Sequence, residues 1–220
     1  MQAISLNEIY LTLSSASGPV EILKGVSFAA EKGETIAIVG PSGSGKSSLI
    51  SVAAGLERAT SGSVTLLGES LSGKSEDDLA RLRRGRVSLV FQSFHLLPTM
   101  NALDNVRAAL EIAGLGAVQE KAEKSLSSVG LSDRIDHFPG QLSGGEQQRV
   151  AVARAIASDP DVIFADEPTG NLDTTSGAAV ADLLFKMSKE KGATLIIVTH
   201  DIELAKRADR ILEMRDGRFQ

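Results

Sequence analysis

Apolar residues fall along this chain in two rhythms, one of strands and one of helices. Thr35-Ile-Ala-Ile-Val39, Val87-Ser-Leu-Val-Phe91, Val162-Ile-Phe-Ala165 and Thr194-Leu-Ile-Ile-Val-Thr199 are short, nearly continuous apolar runs. That is the pattern of strands covered on both faces in a parallel sheet. Ile4 to Leu13, Glu21 to Ala29 and Gly62 to Leu67 read as further strands, the first two separated by the turn-rich Ser14-Ser-Ala-Ser-Gly-Pro19. Helical spacing takes over in Leu49 to Leu56, Gln119 to Val129 and Glu146 to Ala157. Asn101, with Asp104 three residues on, forms a helix start leading to Ala113, and Gly130 closes the helix before it. Asp201 to Arg207 reads as a short helix and Arg210 to Met214 as a last strand. No strong strand signal occurs between Gln92 and Pro160. The pattern predicts an α/β fold in one domain, residues 1–220, with a helical subdomain inserted at roughly 93–159.

Composition narrows what this fold can do. A chain of 220 residues buries one sizeable core. Its net charge of −5 argues against a nucleic-acid surface. The densest basic stretch, Arg81-Leu-Arg-Arg-Gly-Arg86, reads as a solvated helix end with arginines near the negative end of the helix dipole. Cysteine is absent, which excludes disulfides, thiolate metal sites and a thiol nucleophile, and fits a reducing compartment. Met1 to Glu8 has neither the basic nor the apolar part of a signal peptide. No apolar run approaches the roughly 18 residues that a membrane span needs. A membrane role is therefore expected only through a partner. With so few residues after Asp216-Gly217, no C-terminal regulatory domain is expected.

The chemistry is concentrated in loops. Gly40-Pro-Ser-Gly-Ser-Gly-Lys46-Ser47 matches G-x-x-x-x-G-K-[ST] and lies between the Thr35 strand and the Leu49 helix, the context a phosphate-binding loop requires. Its glycines let successive N–H groups turn inward on phosphate oxygens, and the helix after it adds a positive dipole end. Lys46 reaches the β- and γ-phosphates and Ser47 offers a hydroxyl to Mg²⁺. Leu142-Ser-Gly-Gly-Glu146 puts Ser143, Gly144 and Gly145 at another helix start, by itself an anion nest or a simple cap. Asp166 and Glu167 end the Val162 strand, by themselves two carboxylates in a solvated turn. Gln92 and His200 close the Val87 and Thr194 strands, and Asn171-Leu-Asp173 follows Glu167.

Taken together in this order, the elements resemble the Walker A loop, Q-loop, signature, Walker B, D-loop and switch histidine of ATP-binding cassette (ABC) ATPases. Phe91-Gln-Ser-Phe-His-Leu-Leu-Pro98, Leu103-Asp-Asn-Val106, Gln141 to Arg149 and Ala165 to Asp173 look most like the LolD, MacB and FtsE branch, nearest the YbbA type. The resemblance covers essentially the whole chain. It implies a P-loop NTPase fold with a RecA-like core, an antiparallel β subdomain and the inserted helical subdomain. It implies ATP and Mg²⁺ as cofactors, with Gly40, Pro41, Ser42, Gly43, Ser44, Gly45, Lys46, Ser47 and Ser48 around the phosphates. By the same resemblance Ser47 and Gln92 hold the metal, with Asp166 acting through water. Glu167 polarises the attacking water and His200 contacts the γ-phosphate. Ser143, Gly144, Gly145 and Glu146 serve the nucleotide of a second subunit, and Asp173 links the two sites of a homodimer.

The implied complex is a transporter whose permease is of the MacB or FtsX kind, with this chain peripheral on the cytoplasmic face of the inner membrane. Phe94, Leu96, Leu97 and Met100 are the expected docking surface; the same residues could instead pack the helical subdomain onto the core. A soluble ABC-type ATPase of DNA repair or chromosome structure is the alternative, but it should carry a long coiled coil between loop and signature, or a second cassette. A P-loop kinase or GTPase would not need Leu142 to Glu146 or His200. One departure concerns the base. The family's adenine-stacking aromatic falls near Leu13 here, and Tyr10 is three residues early, on the opposite strand face.

Overall fold

In chain order the computed structural model, which describes residues 1–15 and 18–220, has strands β1 (Gln2–Ser15), β2 (Gly18–Glu31) and β3 (Thr35–Val39), helix α1 (Lys46–Ala53), strands β4 (Ser61–Leu66) and β5 (Glu69–Ser70), helix α2 (Glu76–Arg83) and strand β6 (Val87–Phe91). Helices α3 (Ala102–Ala113), α4 (Val118–Ser128) and α5 (Gly144–Ile156) follow. Then come β7 (Val162–Asp166), α6 (Thr174–Lys191), β8 (Thr194–Val198), α7 (Ile202–Ala205), β9 (Arg210–Arg215) and β10 (Arg218–Phe219). These elements form two units, Met1–Arg83 with Thr194–Gln220, and Arg84–Ala193.

In the first unit β1 and β2 pair antiparallel from Gln2 opposite Glu31 to Ser15 opposite Gly18. β4 runs antiparallel along the other edge of β1, and β5 completes a four-stranded sheet in the order β2-β1-β4-β5. The core face of β1 switches parity along its length. Ile4 and Leu6 are buried before a register shift, and Ile9 and Leu11 after it, with Glu8 left-handed at φ 51°. A bulge of this kind inserts one residue and moves the apolar set back to the buried face. β3 lies between β8 and β9, parallel to both, and Ile36, Ala37 and Ile38 have no exposed surface. β9 turns into β10, whose Phe219 meets Phe28 of β2 edge to face at 5.8 Å.

In the second unit β6 and β7 are parallel, with Phe91 opposite Asp166. Helices α3, α4 and α5 bury one apolar cluster that includes Val106, Leu110, Leu126, Leu131 and Val150. The start of α3 is fixed as its sequence predicts: the Asn101 side chain accepts from the Asp104 N–H at 2.7 Å, and Gly114 ends the helix left-handed. Asn105, almost fully buried, ties the preceding loop to the helix. Its Oδ1 accepts from Leu97 N, and its Nδ2 donates to the carbonyls of Leu97, Met100 and Asn101.

Several boundaries differ from the sequence reading. Ser14, Ser15, Gly18 and Pro19 belong to the paired arms of the hairpin, because a long ladder overrides turn composition; Ala16 and Ser17, expected in the same turn, lie outside the described residues. Helix α1 stops at Ala53 rather than running to Leu56. Gly55 is left-handed at φ 67° and Leu56 N donates back to Ser51 O, a glycine-terminated helix end. α7 is a single turn, shorter than Asp201 to Arg207. The 18-residue α6 went unread between the D-loop and the Thr194 strand. Its signals were nonetheless present: Asp173 caps it, Lys189 and Lys191 lie in its last turn, and Gly192 ends it.

Candidate active site

The loop from Gly40 to Gly45 joins β3 to α1 and is built to admit no side chain at its first glycine. A Cβ at Gly40 would lie 2.0 Å from the Met214 carbonyl oxygen, and Gly217 N donates to Ser44 O, so the loop is pinned against the β9–β10 turn. Gly43 and Gly45 are left-handed at φ 78° and 101°. Lys46 is 7% exposed, and its ammonium donates to the carbonyls of Gly40 and Pro41 at 2.8 Å each. The Ser44 hydroxyl is buried and makes no hydrogen bond among the described residues. A buried donor without a partner is rare unless a ligand or water completes it. Helix α1 begins here with no side-chain cap and no acidic residue in its first turn, so its leading N–H groups remain available to an anion. Ser47 is exposed and Ser48 half-buried beside them. A polyphosphate fits this cradle in charge and in donors.

His200 follows β8, and the loop follows β3, its parallel neighbour. Both therefore lie at the carboxyl end of the same strand pair, where open α/β sheets bind ligands. Asp201 N donates to the Thr199 hydroxyl, and the Asp201 carboxylate caps α7, so His200 is held between a strand end and a helix start.

The second unit repeats the arrangement with β6 and β7. Their register places Gln92 and the pair Asp166 and Glu167 at one end of adjacent strands. Glu167 is left-handed at φ 47°, a strained backbone for a residue with a Cβ and of a kind that concentrates at functional sites. The Gln92 amide nitrogen donates to Asn171 Oδ1 at 3.0 Å, and Asn171 Nδ2 donates to the Gln92 main-chain carbonyl at 3.1 Å. Asp173 accepts from the N–H groups of Thr175 and Ser176, and hydrogen bonding to Ser176 holds its carboxyl below the usual aspartate value. Ser143 and Glu146 form a reciprocal cap on α5. Hydrogen bonds from the Ser143 backbone and hydroxyl, with Arg134 behind them, hold the Glu146 carboxyl below its ordinary range. Gly144 and Gly145 open α5, and a Cβ at Gly145 would lie 2.9 Å from Ser176 Oγ, so the signature start lies against the start of α6.

Sequence reasoning missed Arg154 and Gln148 in this region. Phe94 and His95 are consecutive left-handed residues, φ 59° and 48°, and their carbonyls accept from the Arg154 guanidinium at 2.9 and 2.6 Å. Burial lowers the Arg154 pKa from the usual arginine value. Gln148, with no exposed surface, donates to Phe91 O at 3.3 Å. The available signal was polarity in the wrong place: an arginine inside the apolar run Val150 to Ile156 and a glutamine facing the core.

Tyr10 lies on the outer face of β1 between buried Ile9 and Leu11, and a Cβ at Gly25 would come 2.9 Å from its hydroxyl oxygen. Leu13 follows the core-side alternation but extends beyond the core and is 41% exposed.

Against known proteins, residues 23–170 match the family described as ABC transporter. The uncharacterized ABC transporter ATP-binding protein YbbA of Escherichia coli K12 is 48% identical over 219 residues, 99% of this chain and 96% of that protein. The lipoprotein-releasing system ATP-binding protein LolD of Hyphomonas neptunium is 45% identical, covering 94% of this chain and 92% of its own length. The ATP-binding cassette MJ0796, solved as a dimer in a post-hydrolysis state with ADP and Pi, superposes with a TM-score of 0.92 at 36% identity, over 99% of this chain and 96% of its own. The strand, loop and helix geometry of Thr35 to Ala53 and these whole-length matches lead to one assignment: the chain belongs to the ABC transporter family, among the ATPases of the branch that holds YbbA and LolD.

Proposed function

We propose that this chain is the ATP-hydrolysing subunit of a complex of the MacB and LolCDE type, in which closing and opening of an ATPase homodimer drives a membrane permease of the MacB or FtsX kind. The phosphate loop carries the reading, with its buried lysine, its orphaned Ser44 hydroxyl and its uncapped helix start. ATP phosphates take the loop N–H groups and draw the Lys46 ammonium away from the Gly40 and Pro41 carbonyls. Ser47, Gln92 and Asp166 offer hydroxyl, carboxamide and carboxylate oxygens, the hard donors that Mg²⁺ prefers, and the ion supplies neutralising charge on the phosphates. Glu167 orients and polarises the attacking water, and His200 contacts the γ-phosphate. Ser143, Gly144, Gly145 and Glu146 act on the nucleotide of the partner subunit, and Asp173 connects the two sites. The dimeric state of MJ0796 supports that division.

Coupling outward falls to the helical stretch 93–159 and to Phe94, Leu96, Leu97 and Met100, of which Leu97 is 47% exposed. The name of LolD, a lipoprotein-releasing system ATP-binding protein, supports a transporter setting, and the proposed place of this chain is the cytoplasmic face of the inner membrane. No helix among the described residues is long and apolar enough to cross a membrane, so a permease supplies that part. The net charge of −5 leaves nucleic acid outside the reading.

The test is phosphate release and dimerisation in two variants. Glu167→Gln retains the shape of the carboxylate without its basicity, so it should bind ATP, lose turnover by about a hundredfold or more and sediment as an ATP-dependent dimer. Lys46→Ala should lose both binding and turnover. Near wild-type hydrolysis by Glu167→Gln removes Glu167 from the role, and monomers at saturating ATP remove the split site.

A further inference from the structure

A carboxamide has two ends of nearly equal size, and only the oxygen can ligate a cation. Gln92 therefore has an orientation problem: rotation by half a turn about its last bond would present an NH₂ group where an oxygen is needed. The structure contains the element that decides it. The Gln92 main-chain carbonyl is only an acceptor, so the Asn171 atom facing it at 3.1 Å must be the nitrogen. That places Asn171 Oδ1 on the other side, toward the Gln92 side chain. An oxygen there accepts only from the Gln92 NH₂, and the contact is 3.0 Å. The polarity of a main-chain carbonyl is thus relayed through Asn171 to the far end of Gln92.

Two further features keep the relay in register. Gly170 precedes Asn171, and a Cβ there would lie 2.8 Å from Gln92 Nε2 and 3.1 Å from Cδ, so the carboxamide occupies space that only a glycine leaves open. Upstream, Gln148 holds the Phe91 carbonyl, and Arg154 holds those of Phe94 and His95, fixing the backbone on both sides of Gln92.

We propose that Asn171 is a positioning residue that selects the rotamer of Gln92, so that Oε1 rather than Nε2 is offered to the divalent cation. The proposal rests on the reading of Gln92 as a cation ligand. Asn171 acts through its neighbour, by making the wrong orientation costly, since a flipped Gln92 sets two oxygens face to face.

The experiment measures Mn²⁺ binding to the full chain in the presence of ATP and the Glu167→Gln background, by electron paramagnetic resonance, with thermal unfolding recorded for each variant. Asn171→Ala should weaken Mn²⁺ binding by about tenfold, the size usual for removing a group that orients a metal ligand. Gly170→Ala should weaken it too, by displacing Gln92. The discriminating variant is Gln92→Glu, whose two carboxylate oxygens are equivalent and need no selector. There Asn171 Oδ1 faces an oxygen whichever way the carboxylate turns, so Asn171→Ala should cost no affinity and leave Mn²⁺ binding unchanged or tighter. An equal loss in both backgrounds overturns the proposal, because Asn171 would then act on the loop as a whole. Unchanged binding by Asn171→Ala beside a tenfold loss in Gln92→Ala overturns the proposal and leaves Gln92 as ligand. Unchanged binding by Gln92→Ala itself overturns the ligand reading and the proposal with it.

Discussion

Two consecutive left-handed residues with side chains, Phe94 and His95, cost about 1–3 kcal/mol each, and the Arg154 guanidinium is the group that offsets them. Its planar fork serves two carbonyls at once from a half-buried position, which a lysine ammonium on a flexible stem cannot reproduce. Arg154→Lys is therefore expected to lower stability by about 1–3 kcal/mol in urea unfolding and to reduce ATP turnover more than ATP binding. Unaltered turnover in a folded Arg154→Lys chain would show that the loop conformation does not matter to hydrolysis. The base site poses a different problem. On the proposed placement of the base beside Leu13, that side chain offers an apolar surface in place of an aromatic ring, and Tyr10 is already laid across Gly25. Stacking on a ring contributes about 1 kcal/mol, so without it GTP and ATP should bind within about tenfold of each other. A hundredfold ATP preference in a competition assay would place an unrecognised group at the base.

At the scale of elements, caps do much of the positioning. Helix α5 begins at the signature because Ser143 and Glu146 satisfy each other's backbone N–H groups, and Arg134 adds an ion pair of moderate exposure to Glu146. Glu146→Gln preserves the cap but removes the charge. Because the folded-state pKa of Glu146 lies below its ordinary 4.5, the charged form contributes stability above that value, and the contribution is lost as pH falls through the folded pKa. Wild type should thus exceed Glu146→Gln by about 0.5 kcal/mol near neutrality, with the gap closing as the medium is acidified below about pH 4.5. Urea midpoints at pH 7 and in acid measure it, and a gap that widens in acid would contradict the assignment. The same capping logic was legible for α3, where Asn101 and Asp104 stand three apart. It was missed for α6, whose mixed sequence Thr174 to Lys191 has a weaker apolar stripe and whose cap, Asp173, was already absorbed into a functional motif.

For the whole molecule, the loop after Gln92 exposes one apolar residue, Leu97, beside three half-buried ones, Phe94, Leu96 and Met100. Leu96 packs on the cluster of α3 to α5, whereas Leu97 is held by Asn105 at its backbone and leaves its side chain 47% exposed. Core packing thus accounts for Leu96 and not for Leu97, which remains the proposed docking residue. Leu97→Glu should leave the purified chain folded, with basal ATP hydrolysis within about twofold, because surface substitutions away from packed sites usually cost under 0.5 kcal/mol. It should abolish recruitment to membranes that contain the cognate permease, and normal recruitment would move the docking surface elsewhere.

What the sequence determined by itself is local. The phosphate loop, the buried strands Thr35 to Val39 and Thr194 to Val198 and the cap of α3 follow from adjacent residues, because glycine conformation, strand burial and capping act over a few positions, and the family follows from the order of such local motifs along the chain. What tertiary structure alone decided is long-range. The bulge at Glu8, the arginine bond from α5 to the loop after β6, and the relay from the Gln92 carbonyl through Asn171 join residues far apart in the chain. Such contacts depend on how paired strands and packed helices bring distant backbone polar groups within 3 Å or so of a side chain, and no spacing along the sequence encodes that distance.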